Sequence, residues 1–94
     1  MLLIRRVEGL SMLPAYTHGK IVIAWRFRRP KPGDVVIVRH HRIEIIKRVD
    51  QLQDDQMYLL GDNPGESTDS RQFGWLPIKA VIGVVLVKRE KPKE

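Results

Sequence analysis

Two residues in the amino-terminal half of the chain, Ser11 and Lys47, could together carry acyl-transfer chemistry. Ser11 lies among apolar neighbours in a non-repetitive segment that Gly9 and Pro14 bracket. A serine on such a turn can expose its hydroxyl and leave backbone amides free to hold an oxyanion. Because a neutral lysine can take a proton from a serine hydroxyl, the pair could act as nucleophile and general base. Taken alone the serine is a weak signal, since most loop serines are only solvated or cap a turn.

Lys47 falls within residues 42–49, whose apolar content predicts a β-strand. With a period of two, it shares the more apolar face of that strand with Ile43, Ile45 and Val49. An inward lysine without a carboxylate partner loses hydration, which lowers its pKa and favours the neutral amine. The alternative is a lysine that extends to the edge of the sheet and stays charged. Periodicity alone does not decide between the two.

The remaining elements predict a small all-β protein. Segments rich in β-branched and aromatic residues alternate with turns rich in Gly, Pro, Asp and Asn, and no helical periodicity extends beyond about one turn. Strands are predicted at residues 2–7, 21–27, 35–38, 42–49, 57–60 and 80–87, with turns at 30–34 and 61–65 and an ordered loop at 65–74. This series predicts a barrel-like or two-sheet β fold. We expect one domain over residues 1–87 and a basic, flexible tail over residues 88–94.

Length and composition exclude several classes of protein. The chain has 94 residues and no cysteine, which is one small domain without disulfides, thiolate metal sites or a cysteine nucleophile. No apolar run approaches the roughly 20 residues that span a bilayer, and arginines follow too early for a signal peptide. We therefore expect a cytoplasmic protein without a membrane anchor. We expect no metal or cofactor, since His40 and His41, as neighbours on a strand, face opposite sides.

The formal net charge of +6 is unevenly distributed. Residues 1–49 carry eleven basic and three acidic residues, whereas residues 50–87 carry two basic and six acidic residues. Basic residues cluster at 26–31 and 39–42, and only Trp25 and Phe27 are interleaved. Because so few aromatic residues make a poor base-stacking platform, we do not expect nucleic acid as the partner.

Three segments, in their order along the chain, resemble the Ser-Lys proteases of the type I signal peptidase family. They are Gly9-Leu10-Ser11-Met12-Leu13-Pro14, then Lys47-Arg48-Val49, then Gly61-Asp62-Asn63-Pro64-Gly65-Glu66-Ser67-Thr68-Asp69-Ser70-Arg71-Gln72-Phe73-Gly74. The third is the most specific, because it keeps the family's Gly-Asp-Asn, Ser-x-Asp-Ser-Arg, Gly pattern with its spacing. The turn at residues 30–36 matches a fourth block, so the resemblance spans most of residues 7–83.

The resemblance implies a role for each matching residue. Ser11 would be the nucleophile, with its own backbone amide as one oxyanion donor, and Lys47 would be the general base. Ser67 would hydrogen-bond the Lys47 amine and orient it toward Ser11. Asp69 and Arg71 would form an ion pair that fixes this loop against the catalytic strand.

Further matching positions would support the site. Asp62 and Asn63 would be structural. Gly9 stands where many relatives carry a serine hydroxyl as the second oxyanion donor, so that donor would be a backbone amide, a water molecule or nothing. Leu10 and Met12 would either line a pocket for small substrate side chains or belong to the core, and the pocket is favoured for Met12.

The chain departs from membrane signal peptidases in ways that bear on its substrate. Those enzymes carry a transmembrane anchor and usually a second β domain between the lysine strand and the Gly-Asp-Asn block, whereas here 13 residues separate Lys47 from Gly61. The compact form is similar to the proteases that mature nickel-type superoxide dismutase by removing an N-terminal propeptide. The implied partner is a protein precursor, which the basic surface around Arg28 and Arg29 would recruit if the precursor is acidic. The oligomeric state stays open.

Other functions also fit parts of the pattern. Self-cleaving repressors use a Ser-Lys dyad on a related β fold, but they lack the Gly-Asp-Asn block and need a cleavable linker and a DNA-binding domain. A signal-peptidase-like protease acting on a different precursor is a second alternative. A third is a catalytically idle module whose basic hairpin holds nucleic acid or an acidic protein.

Overall fold

In the computed structural model, which describes residues 1–86, seven strands form one antiparallel sheet. They are β1 (Leu2–Arg6), β2 (Ile21–Trp25), β3 (Val35–His40), β4 (Ile43–Gln53), β5 (Gln56–Leu60), β6 (Leu76–Pro77) and β7 (Val81–Val85), in the spatial order β1-β2-β7-β3-β4-β5-β6. The other elements are one short helix, α1 (Ser70–Phe73), and two 3₁₀ turns, Pro64–Glu66 and Ile78–Ala80. The all-β prediction is confirmed, and the strands make one continuous sheet. The predicted tail at residues 88–94 lies outside the described residues.

The central strand β3 is buried on both faces, as its continuous apolar run predicts. Val35 and Ile37 pack into a first core cluster with Val7, Met12, Tyr16, Val22, Ala24 and Val85. Val36 and Val38 pack into a second cluster with Val49, Met57, Leu59, Leu76 and Val84. Apolar side chains therefore cover the middle of the sheet on both sides. The strand β4 pairs directly with β3 at this position.

Two elements differ from the sequence prediction. The polar residues 51–56 predict a hairpin connection, and the hairpin is present, but its strands extend further than predicted, with β4 ending at Gln53, β5 beginning at Gln56 and the turn at Asp54, where φ is 55°. Backbone pairing continues there although Leu52, which packs partly buried against the second core cluster, is the one apolar residue of the segment, so the sequence shows no apolar alternation that would reveal it. The two-residue strand β6 was also missed, because it is defined only by its pairing with β5.

Within residues 1–86, the strands β1 and β4 both keep an unpaired edge next to the first core cluster. β1 is the last strand at one side of the sheet, and residues 43–47 of β4 pair with β3 alone, since pairing with β5 begins at Arg48. The antiparallel order makes β1 and β4 run in the same direction. Within residues 1–86 no helix is long and apolar enough to cross a membrane.

Candidate active site

Lys47 lies on β4 with its side chain turned into the protein. It is 5% exposed, so the alternative in which the side chain reaches solvent at the edge of the sheet is not the one observed. Its Nζ donates a hydrogen bond of 3.2 Å to Ser67 Oγ. Burial lowers the pKa of Lys47; the attraction of Asp69 opposes this effect and the repulsion of Arg71 adds to it. The site therefore favours a neutral amine more than water does.

Ser67 links Lys47 to a buried carboxylate. Its hydroxyl donates to Asp69 Oδ2 at 2.8 Å. Because a hydroxyl has one hydrogen, a serine bonded in this way can only accept from the lysine. The chain of hydrogen bonds therefore runs from Lys47 through Ser67 to Asp69 and fixes the direction of the lysine amine.

Asp69 is fully buried and its oxygens are saturated. Arg71 donates to it through Nε at 2.9 Å and Nη2 at 2.7 Å, and the Gly61 amide donates at 2.8 Å. Asp69 also caps α1, in a reciprocal arrangement with Gln72. Burial alone would raise the pKa of Asp69, but the bonds from Arg71, Gly61 and Ser67 hold that pKa well below its usual range. Asp69 is thus a fixed anion under the site.

The Gly-Asp-Asn block holds the turn that carries Ser11. The Asn63 amide donates to the Ser11 carbonyl at 2.8 Å, and Asn63 Nδ2 donates to the Leu10 carbonyl at 3.0 Å. Gly61 packs so closely that a Cβ there would collide with the Ser67 hydroxyl and come within 2.9 Å of the Ser11 carbonyl. One loop thereby positions the serine and the lysine contact together.

Asp62 ties the same block to β4. Arg48 donates to both of its carboxylate oxygens at 2.8 Å and to the Gly33 carbonyl at 2.8 Å. The family resemblance implied a supporting position for Asp62 but no role for Arg48. Arg48 directly follows Lys47 in the Lys-Arg-Val segment. Because neighbouring residues on a strand point to opposite faces, the sequence could have indicated that Arg48 holds β4 from the face opposite Lys47.

The geometry separates two oxyanion candidates. Among the described residues, no hydrogen bond engages the backbone amide of Ser11, so it is free to act as a donor. The Gly9 amide instead donates to His18 Nδ1 at 2.9 Å, with φ at 85°. In this structure the Gly9 amide is thus engaged by His18, and Gly9 as the second oxyanion donor stays a prediction. Nothing in the sequence pattern marked His18, which is an exposed loop residue.

Ser11, Lys47 and Met12 line one groove of about 570 Å³. Met12 is 1% exposed and also belongs to the first core cluster, so it is both pocket wall and core. Leu10 was a second pocket candidate, but it lies outside this lining and is 47% exposed. The walls of the groove are the end of β1 and the start of β4.

Comparison with known proteins assigns the chain to a family. Residues 2–86 match the Peptidase S24-like family. The mitochondrial ATP-independent inner membrane protease subunit 1a of Arabidopsis thaliana is 30% identical over 117 aligned positions, which cover 93% of this chain and 70% of that protein. Since the alignment is longer than this chain, the relative has additional residues inside the aligned region. The chain belongs to the Peptidase S24-like family, and both matches indicate a serine peptidase of the signal-peptidase kind.

Proposed function

We propose that this protein is a serine endopeptidase with Ser11 as nucleophile and Lys47 as general base. The observation that carries the proposal is a buried lysine, hydrogen-bonded to Ser67, in the same groove as a serine whose backbone amide is free. A lysine with a lowered pKa and a serine on a constrained turn are the groups that this chemistry needs.

In the first step Ser11 Oγ attacks the scissile carbonyl while the neutral Lys47 amine takes its proton. The amide of Ser11 stabilises the oxyanion that forms. The protonated Lys47 then gives its proton to the leaving amine, and an acyl-enzyme results. A water molecule that Lys47 deprotonates attacks the ester and releases Ser11.

Ser67 and Asp69 act by orienting the base. A neutral amine has two hydrogens and one lone pair, and donation to Ser67 uses one hydrogen. Because the Ser67 hydroxyl donates its one hydrogen to Asp69, it can only accept a hydrogen bond from Lys47. This arrangement leaves the lone pair of Lys47 available to Ser11.

The groove suits an extended peptide. It lies between β1 and residues 43–47 of β4, each of which has an unpaired edge within the described part of the chain. Such edges present backbone N–H and C=O groups that bind a peptide by adding a strand. Near Ser11 the groove is lined by the buried side chains of Val7, Met12 and Ile37, which fit small apolar substrate residues.

The proposed reaction is removal of an N-terminal propeptide, with a nickel superoxide dismutase precursor as the first candidate substrate. The short spacing between Lys47 and the Gly-Asp-Asn block supports this choice, because it resembles the compact proteases of that pathway. A different protein precursor is the alternative. The relative's name places a protease at an inner membrane and names no substrate, so a membrane-protein precursor serves as the alternative tested beside the first one.

The test is incubation of the purified protein with each precursor, with the new amino terminus read by mass spectrometry. We expect one defined cleavage, lost in both Ser11→Ala and Lys47→Ala and insensitive to chelators. Cleavage retained by Ser11→Ala would refute the dyad. Processing of only the membrane-protein precursor would refute the superoxide dismutase substrate alone. Salt-sensitive nucleic-acid binding without any cleavage would support the idle binding module instead.

A further inference from the structure

A two-pronged ion pair crosses the groove beyond the Ser11–Lys47 end. Arg5 Nε lies 2.6 Å from Glu44 Oε1, and Arg5 also donates through Nη2 to Glu44 Oε2 at 3.2 Å. Arg5 is on β1 and Glu44 on β4, and the two residues are 39 positions apart in the sequence. Three other strands lie between β1 and β4 in the sheet order, so these side chains join strands that share no backbone pairing.

The spacing of strands explains what such a pair can do. Neighbouring strands lie about 4.8 Å apart, so a gap that accepts one additional strand must be about 9.6 Å wide. That width is too large for backbone hydrogen bonds, but an arginine and a glutamate that meet end to end can span it. Arg–carboxylate pairs with two parallel bonds also fix direction as well as distance.

We propose that the Arg5–Glu44 pair is a strut that holds β1 and β4 at the separation an extended peptide requires. Both are positioning residues, since they act on the groove walls and not on the reacting atoms. The inference rests on the proposed peptidase function for its kinetic consequences, and on the groove itself for its structural ones.

The surroundings of Glu44 separate a strut from an ordinary surface contact. Arg39 also approaches Glu44, at 3.7 Å, but it lies on β3 directly opposite Glu44 in the backbone register. The Arg39 contact therefore spans no gap and supplies a matched control. The hydrogen bond from Arg5 lowers the pKa of Glu44, which keeps the carboxylate ionised at neutral pH. Partly exposed ion pairs add little to folding stability, so loss of the strut should leave the fold intact.

The kinetic test compares Arg5→Gln and Glu44→Gln with Arg39→Gln, using a fluorogenic peptide that spans the cleavage site of the processed precursor. We expect KM to rise roughly tenfold in the first two variants with kcat little changed, because peptide placement fails and not the chemistry. Arg39→Gln should behave as the parent protein. The exchanged pair, Arg5→Glu with Glu44→Arg, should restore KM when it is made in the Arg39→Gln background, since it reverses the two charges, keeps the combined length and leaves no arginine opposite the new guanidinium.

A second measurement reads the width of the groove without activity. The chain has no cysteine, so spin labels can be placed through Arg6→Cys and Ile43→Cys, two exposed positions on opposite walls. The distance distribution should broaden when Glu44→Gln is added and stay narrow with Arg39→Gln. An unchanged distribution in Glu44→Gln would overturn the strut. Failure of the parent to cleave any peptide would overturn the peptidase proposal, while the label distances still decide whether the strut exists.

Discussion

At the scale of single residues, Lys47 is the group whose surroundings decide the chemistry. The side chain is buried, yet its hydrogen-bonding group reaches Ser67 and its environment includes both an anion, Asp69, and a cation, Arg71. Burial outweighs the anion in lowering the pKa of Lys47, because Arg71 already neutralises much of Asp69. The protein thus places a carboxylate near Lys47, the proposed base, while burial still lowers the pKa of the amine.

The rate of peptide cleavage is expected to rise with pH. Only the neutral amine accepts the proton of Ser11, and burial lowers the pKa of Lys47 below the ordinary 10.5, so the active fraction grows through that lowered pKa and saturates above it. The measurement is kcat/KM from about pH 5 to pH 10 in buffers of constant ionic strength. A midpoint at the ordinary lysine value, or a rate that falls over this range, would contradict the assignment.

Ser67→Ala supplies the matched control for that profile. It keeps the nucleophile and the base but removes the acceptor that holds the Lys47 amine. We expect kcat to fall about tenfold or more while the dependence on pH remains, because the base is present but poorly directed. An unchanged kcat would mean that Ser67 serves only the loop.

Replacing the base should stabilise the fold. Because the pKa of Lys47 is lowered in the folded protein, the unfolded chain binds more protons between that value and 10.5, and the free energy of unfolding falls as pH drops through this window. Lys47→Met should therefore raise the free energy of unfolding by about 1 kcal/mol at neutral pH while abolishing cleavage. Urea denaturation at neutral pH and at about pH 10 tests this, and the gain should shrink at the higher pH. A variant less stable than the parent under both conditions would contradict the expectation.

At the scale of elements, the loop from Gly61 to Gly74 positions the whole site. Asn63 holds the Ser11 turn, Asp62 holds β4 through Arg48, and Ser67 accepts a hydrogen bond from Lys47, the proposed base. The loop is anchored in turn by Asp69, which accepts from the Gly61 amide at the loop's own start. Since three separate parts of the site depend on one segment, a small displacement of it should cost activity before stability.

Gly61→Ala tests that dependence. The added Cβ would meet the Ser67 hydroxyl and the Ser11 carbonyl, so either the serine contact or the nucleophile turn must move. We expect kcat/KM to fall about a hundredfold, as for an ångström-scale misplacement of reacting groups. The control is Gly65→Ala in the same loop, where a Cβ meets nothing within 4 Å. Equal activities of the two variants would show that the close approach at Gly61 is not functional.

At the scale of the whole molecule, sequence patterns predicted what is local and missed what pairing creates. The alternation of Ile45, Lys47 and Val49 predicted that Lys47 lies on the more apolar face, because side-chain direction on a strand depends only on the residue's own backbone, but it left open whether the amine is buried or reaches solvent. The Gly9–His18 bond and the Arg5–Glu44 pair left no such trace. They depend on which strands and turns the folded chain brings together. A single sequence carries no signal of these long-range contacts.

The surface charge of the molecule leads to the last prediction. The first 49 residues carry most of the positive charge, and Arg28 is exposed and forms no ion pair within residues 1–86. Arg28→Glu should raise KM for an intact acidic precursor on the order of threefold and weaken its dependence on salt, because long-range attraction steers the encounter. Cleavage of a short peptide should stay unchanged, since a peptide meets only the groove. The charge-matched control is Lys79→Glu. Lys79 is exposed and follows Ile78, whose backbone amide donates to the Asp55 carbonyl in the acidic half of the chain. Equal KM increases in the two variants would show that net charge, and not the Arg28 surface, recruits the precursor.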